Sequence, residues 1–102
     1  MGLPVIALAD NGASTGVVTY QNANDTTIKA GTGYLGRVLV TQANGAAAIN
    51  IYDNATGHTG TVIGVIPASA AAGSVYSFGM PYTYGITVQG ANTNGALTVS
   101  YY

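Results

Sequence analysis

Residues 49–52, Ile-Asn-Ile-Tyr, place apolar side chains at every second position, and the alternation returns in Ile86 with Val88 and in Leu97 with Val99. Successive side chains of an extended chain point to opposite sides, so this spacing buries one face of a sheet and leaves the other to solvent. No window carries an apolar stripe with the 3.6-residue period of a helix. Gly, Asn and Pro punctuate the alternating segments at intervals of roughly 8–12 residues, the spacing of two packed antiparallel sheets. The pattern predicts strands near residues 4–9, 15–20, 25–30, 34–42, 47–53, 60–66, 73–79, 84–89 and 96–102. It specifies an all-β fold, an antiparallel β-sandwich of jelly-roll-like form with about eight strands.

Asn44-Gly45 stands between two of these segments and predicts a tight hairpin turn with positive φ angles; Asn94-Gly95 predicts another before the last strand. The Ala-rich stretch PASAAAGS, residues 67–74, is bounded by Pro67 and Gly73 and reads as an ordered loop.

Residues 1–102 make a single domain, too short for a doubly wound nucleotide-binding domain together with a substrate domain. Asp10, Asp25, Asp53, Lys29 and Arg37 are its only charged residues, 5% of the chain, and the formal net charge is -1. Thr, Asn, Gly and Ala fill positions where Lys and Glu are usual. Such surfaces repel one another weakly, so self-association is expected. Two basic residues cannot neutralise a run of phosphates, which argues against nucleic acid as a partner. Cysteine is absent, removing disulfides, thiol nucleophiles and thiolate metal sites. The opening MGLPVIALAD has no positive n-region, and its apolar run is too short for a signal peptide or a membrane span. Ile6 also stands where myristoylation requires Ser or Thr. The expectation is synthesis in a cytoplasm and no membrane partner.

Three places invite a chemical reading. Gly31, Gly33 and Gly36 have the G-x-G-x-x-G spacing of nucleotide-binding turns, with Asp53 further along as a ribose ligand. That motif needs a helix after its last glycine, and RVLVTQ is β-forming. The alternative is a turn at Gly31 and Gly33 and a bent or closely crossed strand at Gly36. In YDNATGHTG, residues 52–60, Asp53, Asn54 and His58 suggest a triad or a metal. Zinc needs three or four good ligands, and calcium needs six or more oxygens where this loop offers one carboxylate. The segment reads as a turn: Asp53 and Asn54 bond local backbone, Gly57 and Gly60 take positive φ, and His58 is solvated at the tip. The sequons at Asn24 and Asn54 are discounted without a secretory signal. No catalytic, cofactor or metal residue is assigned, and the chain is not read as an enzyme. The third place is the aromatic set of eight Tyr, one Phe and no Trp. Tyrosine packs its ring while its hydroxyl stays wet, which suits subunit contacts and sugar platforms. Tyr82, Tyr84, Tyr101 and Tyr102 are candidate assembly contacts. Val5, Ile6 and Leu8 join them, because Pro4 restricts residues 1–14 to an edge strand or an N-terminal arm that adds a strand to a neighbour.

From about residue 25 onward, TTIKAGTGYLGRVLV, INIYDNATGHTGTVIGVIP, AAAGSVYSFGMPYTYGITV and the closing LTVSYY resemble small β-sandwich proteins among the virion genes of tailed bacteriophages. The resemblance rests on structural motifs and covers about three quarters of the chain. It implies a capsid decoration (cement) protein or head fibre protein on the virion surface, made in the host cytoplasm. Its partners would be copies of itself, with a homotrimer favoured, and the major capsid protein or another virion protein. A tail fibre or baseplate module, or a carbohydrate-binding module for host attachment, is the alternative.

Overall fold

Every element of the computed structural model, which describes residues 14–19, 25–90 and 95–102, is a β-strand. In chain order these are β1 (Ser14–Thr19), β2 (Thr26–Ala30), β3 (Gly33–Gln42), β4 (Ile49–Asp53), β5 (Thr61–Ile66), β6 (Val75–Tyr82), β7 (Gly85–Val88) and β8 (Ala96–Tyr101). The segment expected at 4–9 lies outside the described residues, as do Val5, Ile6, Leu8 and Asn94.

The strands form two four-stranded sheets, ordered β1-β8-β3-β6 and β2-β7-β4-β5. One rule generates both orders. β4 pairs with β5, β3 with β6, β2 with β7 and β1 with β8, all antiparallel. The chain is therefore one long hairpin whose successive strand pairs fall alternately in the two sheets. Pairing of β3 with β8 and of β4 with β7 completes each sheet. This is jelly-roll connectivity, and the all-β sandwich expected from the alternation is the fold found.

The alternating positions turn inward as their spacing requires. Leu35, Val38 and Val40 of β3 and Leu97 and Val99 of β8 face Ile49 and Ile51 of β4, Ile63 and Ile66 of β5, and Ile86 and Val88 of β7. Tyr76, Phe78 and Tyr101 pack on the margin of this cluster. Each fully buried aliphatic side chain contributes about 1.5–3 kcal/mol relative to exposure. That supplies the stability of a chain with no disulfide. β5 meets β6 at one side of the sandwich and β1 meets β2 at the other.

Asn44-Gly45 does not turn a hairpin. β3 and β4 belong to different sheets, so residues 43–48 cross between sheets, and neither Asn44 nor Gly45 has positive φ. Asn44 is a buried clasp instead. Its side-chain amide donates to the carbonyls of Ala47 (3.0 Å) and Pro67 (2.9 Å), and its backbone N–H donates to Ala70 O (2.9 Å). The backbone N–H of Ser69 donates in turn to Gly45 O at 2.7 Å. These bonds hold the 67–74 segment as the ordered loop expected, with Ala70 buried in the core.

Candidate functional site

The glycines at 31, 33 and 36 fall in a turn and a strand. Gly31 has φ 103° between β2 and β3, and its N–H donates to Tyr84 O at 2.9 Å. Gly33 opens β3. Gly36 lies within β3 where it is crossed closely by β8: a Cβ built there would stand 2.6 Å from Ser100 Oγ. That hydroxyl accepts the backbone N–H of Arg37 at 2.8 Å and donates to Arg37 O at 3.3 Å. The strand continues to Gln42, so the helix N-terminus that lets such a motif hold a pyrophosphate is not formed here.

Around residues 52–60 the sequence reading holds for Asn54 and Gly60 and fails for Asp53 and Gly57. Asn54 Oδ1 accepts the N–H groups of Thr56 (2.7 Å) and Gly57 (2.9 Å), and its amide donates to Thr59 O at 3.1 Å, which closes a local turn. Gly60 has positive φ, 95°, but Gly57 does not. Asp53 bonds no local backbone. Its carboxylate accepts the N–H groups of Thr83 (3.0 Å), Tyr84 (2.8 Å) and Gly85 (3.3 Å), in the turn between β6 and β7. Partial burial pushes its pKa up, but these three donors outweigh that and hold the carboxyl below its usual value. His58 is half exposed yet engaged: its Nδ1 is 2.6 Å from Asp25 Oδ2, and its backbone N–H donates to the same oxygen at 3.2 Å. Asp25 Oδ1 accepts the N–H of Gly90 at 2.8 Å. Burial again works upward at Asp25, and the bonds from Gly90 and His58 prevail to lower its pKa.

Both carboxylates are thus spent on joining loops. No three His, Cys, Asp or Glu residues converge to hold a metal among the described residues. Beneath the 54–58 turn, Thr87 is fully buried, with its hydroxyl donating to Asn54 O at 2.7 Å and lying 3.0 Å from Thr27 Oγ1. Asp53, Asn54 and His58 thus fasten neighbouring loops to one another.

The four tyrosines expected at a contact surface separate. Tyr82 is a core residue, 3% exposed, with its hydroxyl over Gly33, so within this chain it is not available as an assembly contact. Burial raises its hydroxyl pKa, with the nearby Tyr101 adding to the effect. Tyr101 packs against the core margin. Tyr84 is 66% exposed at the β6–β7 turn. Tyr102 stacks on Tyr34 with ring centroids 5.9 Å apart and an interplanar angle of 23°. The N–H of each donates to the other's carbonyl, which extends the β3–β8 pairing by one residue.

Two surface features stand out. The first is a set of exposed apolar side chains on the strands at the side of the sandwich where β5 meets β6: Val62 and Val65 of β5, Val75 and Met80 of β6, and Leu39 of β3, which pairs with Val75. β5, Thr-Val-Ile-Gly-Val-Ile, contains no charge and no proline, and among the described residues it pairs only with β4. Alternation alone would have located Val62 and Val65 on a strand, but not at a sheet edge. The second is a hollow of about 220 Å³ on the outer face of the other sheet, lined by Gly36, Arg37, Ser77, Gly79 and Tyr102. Comparison with family models, curated proteins and solved structures gave no match.

Proposed function

We propose that this protein is a structural component of a tailed-bacteriophage virion, a capsid decoration or head fibre protein that associates with itself and with the capsid surface. The observation that carries the reading is the β5 edge, which among the described residues has no strand partner beyond β4, together with the exposed Val62 and Val65 on that strand. Proteins that remain single usually blunt an edge strand with Lys, Pro or a bulge. β6 has Pro81 and a positive-φ Gly79, whereas β5 has no Lys and no Pro, and its one irregularity is the extra residue between Val62 and Gly64, opposite Ile51 and Tyr52. An edge left unpaired among the described residues, on a strand that also exposes Val62 and Val65, suits strand addition or apolar packing by another copy. The nearly uncharged exterior offers little repulsion to oppose it. The phage assignment rests on the sequence resemblance, which also favours a homotrimer. In a many-copy assembly, weak contacts add through effective concentration, so one modest patch per chain suffices. Fastened carboxylates and uncharged edges serve rigidity and association, and the reading includes no enzymatic role.

The test combines sedimentation of the purified protein with co-sedimentation on undecorated capsids. The expected result is an oligomer, three chains on the favoured model, that binds capsids, while Val65→Lys sediments as a monomer and binds weakly. A wild-type monomer at high concentration that leaves capsids bare would overturn the proposal.

A further inference from the structure

We infer that the hollow beside Arg37 is a binding site for a carboxylate-bearing saccharide. Its shape follows from the backbone. Between Ser77 and Met80, β6 carries one more residue than β3 does between Arg37 and Leu35, so the register shifts and a bulge forms at Gly79, φ 60°. A bulge leaves its extra residue outside the ladder and re-aims the side chains around it. No side chain at Gly36 or Gly79 occupies the space, and a Cβ added at Gly79 would meet nothing within 4 Å. The result is a recess on a sheet face, lined by Gly36, Arg37, Ser77, Gly79 and Tyr102.

The lining is selective. Arg37 is exposed and forms no ion pair among the described residues, where the one pair is His58 with Asp25. Asp25 and Asp53 are occupied with the N–H groups of Gly90 and of Thr83 to Gly85. The other cation, Lys29, turns back onto Ala30 O at 3.1 Å. In so neutral an exterior, Arg37 is the one cation that lines the hollow. A guanidinium presents paired donors in a plane, matching a carboxylate in two parallel bonds. Tyr102 supplies an aromatic wall held in place by its stack on Tyr34. The C–H face of a pyranose packs on such a ring, while the Ser77 hydroxyl offers a hydrogen bond to one of its hydroxyls. A cation, an aromatic face and small polar groups around a recess of this size fit one acidic sugar unit, terminal or within a chain. The hollow lies on the sheet opposite β5, on the face that also exposes Leu39 and Val75 two residues along from Arg37 and Ser77, and its chemistry does not depend on the assembly reading.

The experiment follows backbone amide resonances of the full chain during titration with glucuronate, galacturonate and N-acetylneuraminate. Methyl glucuronate ester and inorganic phosphate are the comparison arms. At least one acid should shift the amides of Gly36, Arg37, Ser77, Gly79 and Tyr102 saturably, with the ester and phosphate weaker by roughly tenfold or more. Arg37→Gln and the hollow-filling Ser77→Tyr should each lower the affinity roughly tenfold, with the remaining amide spectrum unchanged. Val65→Lys, which targets assembly, should bind the acid normally. No saturable shift with any acid at tens of millimolar, equal binding of the ester, or equal binding of phosphate alone would each overturn the inference.

Discussion

Asp53 Oδ1 accepts the backbone N–H of Tyr84 at 2.8 Å across a separation of 31 residues, joining the end of β4 to the turn that feeds β7. With the bonds from Thr83 and Gly85, one side chain satisfies three consecutive donors. Asp53→Ala strands all three and should lower stability by about 1–3 kcal/mol, the cost of lost bonds to a charged acceptor. Asp53→Asn keeps one acceptor oxygen and should lose less. Urea midpoints at unchanged slope would measure both.

Acid should weaken the fold through the same contacts. Asp25 and Asp53 both have folded-state pKa values below their usual 3.8, so the unfolded chain binds protons first as pH falls. Their contribution is therefore full above about pH 5 and is lost progressively through pH 4 and below. Stability measured from pH 6 to pH 2 should fall most steeply below pH 4. Asp53→Asn should flatten that fall, and His58→Ala should reduce the share belonging to Asp25.

Asn44→Ala removes two donated side-chain bonds from a site only 7% exposed and leaves the carbonyls of Ala47 and Pro67 short of donors. The expected loss is about 1–3 kcal/mol. Amide exchange should accelerate at Ser69 and Ala70, whose loop the clasp holds. Unchanged exchange there would mean that the backbone bonds alone suffice.

At Gly36 the prediction concerns space. An added methyl group meets Ser100 Oγ at 2.6 Å and Ser100 O at 3.0 Å, so Gly36→Ala should destabilise by about 1–3 kcal/mol through overpacking. Ser100→Ala alone should also destabilise, because Arg37 loses its partner. Combined, the two substitutions should cost less than their sum, a coupling that a double-mutant cycle reads directly.

The sheets were legible because alternation at Ile49 and Ile51, or at Leu97 and Val99, is a local property that fixes which face is buried. Partners distant in sequence were not. Asp53 and Asn54 look alike as turn residues, and only the meeting of β4 with the β6–β7 turn gives Asp53 its three remote donors. Asn44-Gly45 carries a hairpin signal, but its surroundings include Pro67 and Ala70, whose proximity depends on the crossover between sheets. Tyr82 and Tyr84 are indistinguishable until β3 pairs with β6 and sets Tyr82 opposite Gly33. The hollow beside Arg37 was invisible for the same reason, since it arises from a mismatch in length between two strands.

The nested pairing of the strands also fixes an order of assembly in time. The innermost pair, β4 with β5, joins Asp53 to Thr61 across a short turn, whereas the outermost sets Ser14 opposite Tyr101, almost the full length of the chain. Closing a long loop costs entropy that inner pairs, once formed, have already met in part, because each shortens the slack left for the next. Such a chain zips from its middle toward its ends and folds slowly, on the millisecond-to-second scale of β-sandwiches. Its last act is to seat β1 against β8.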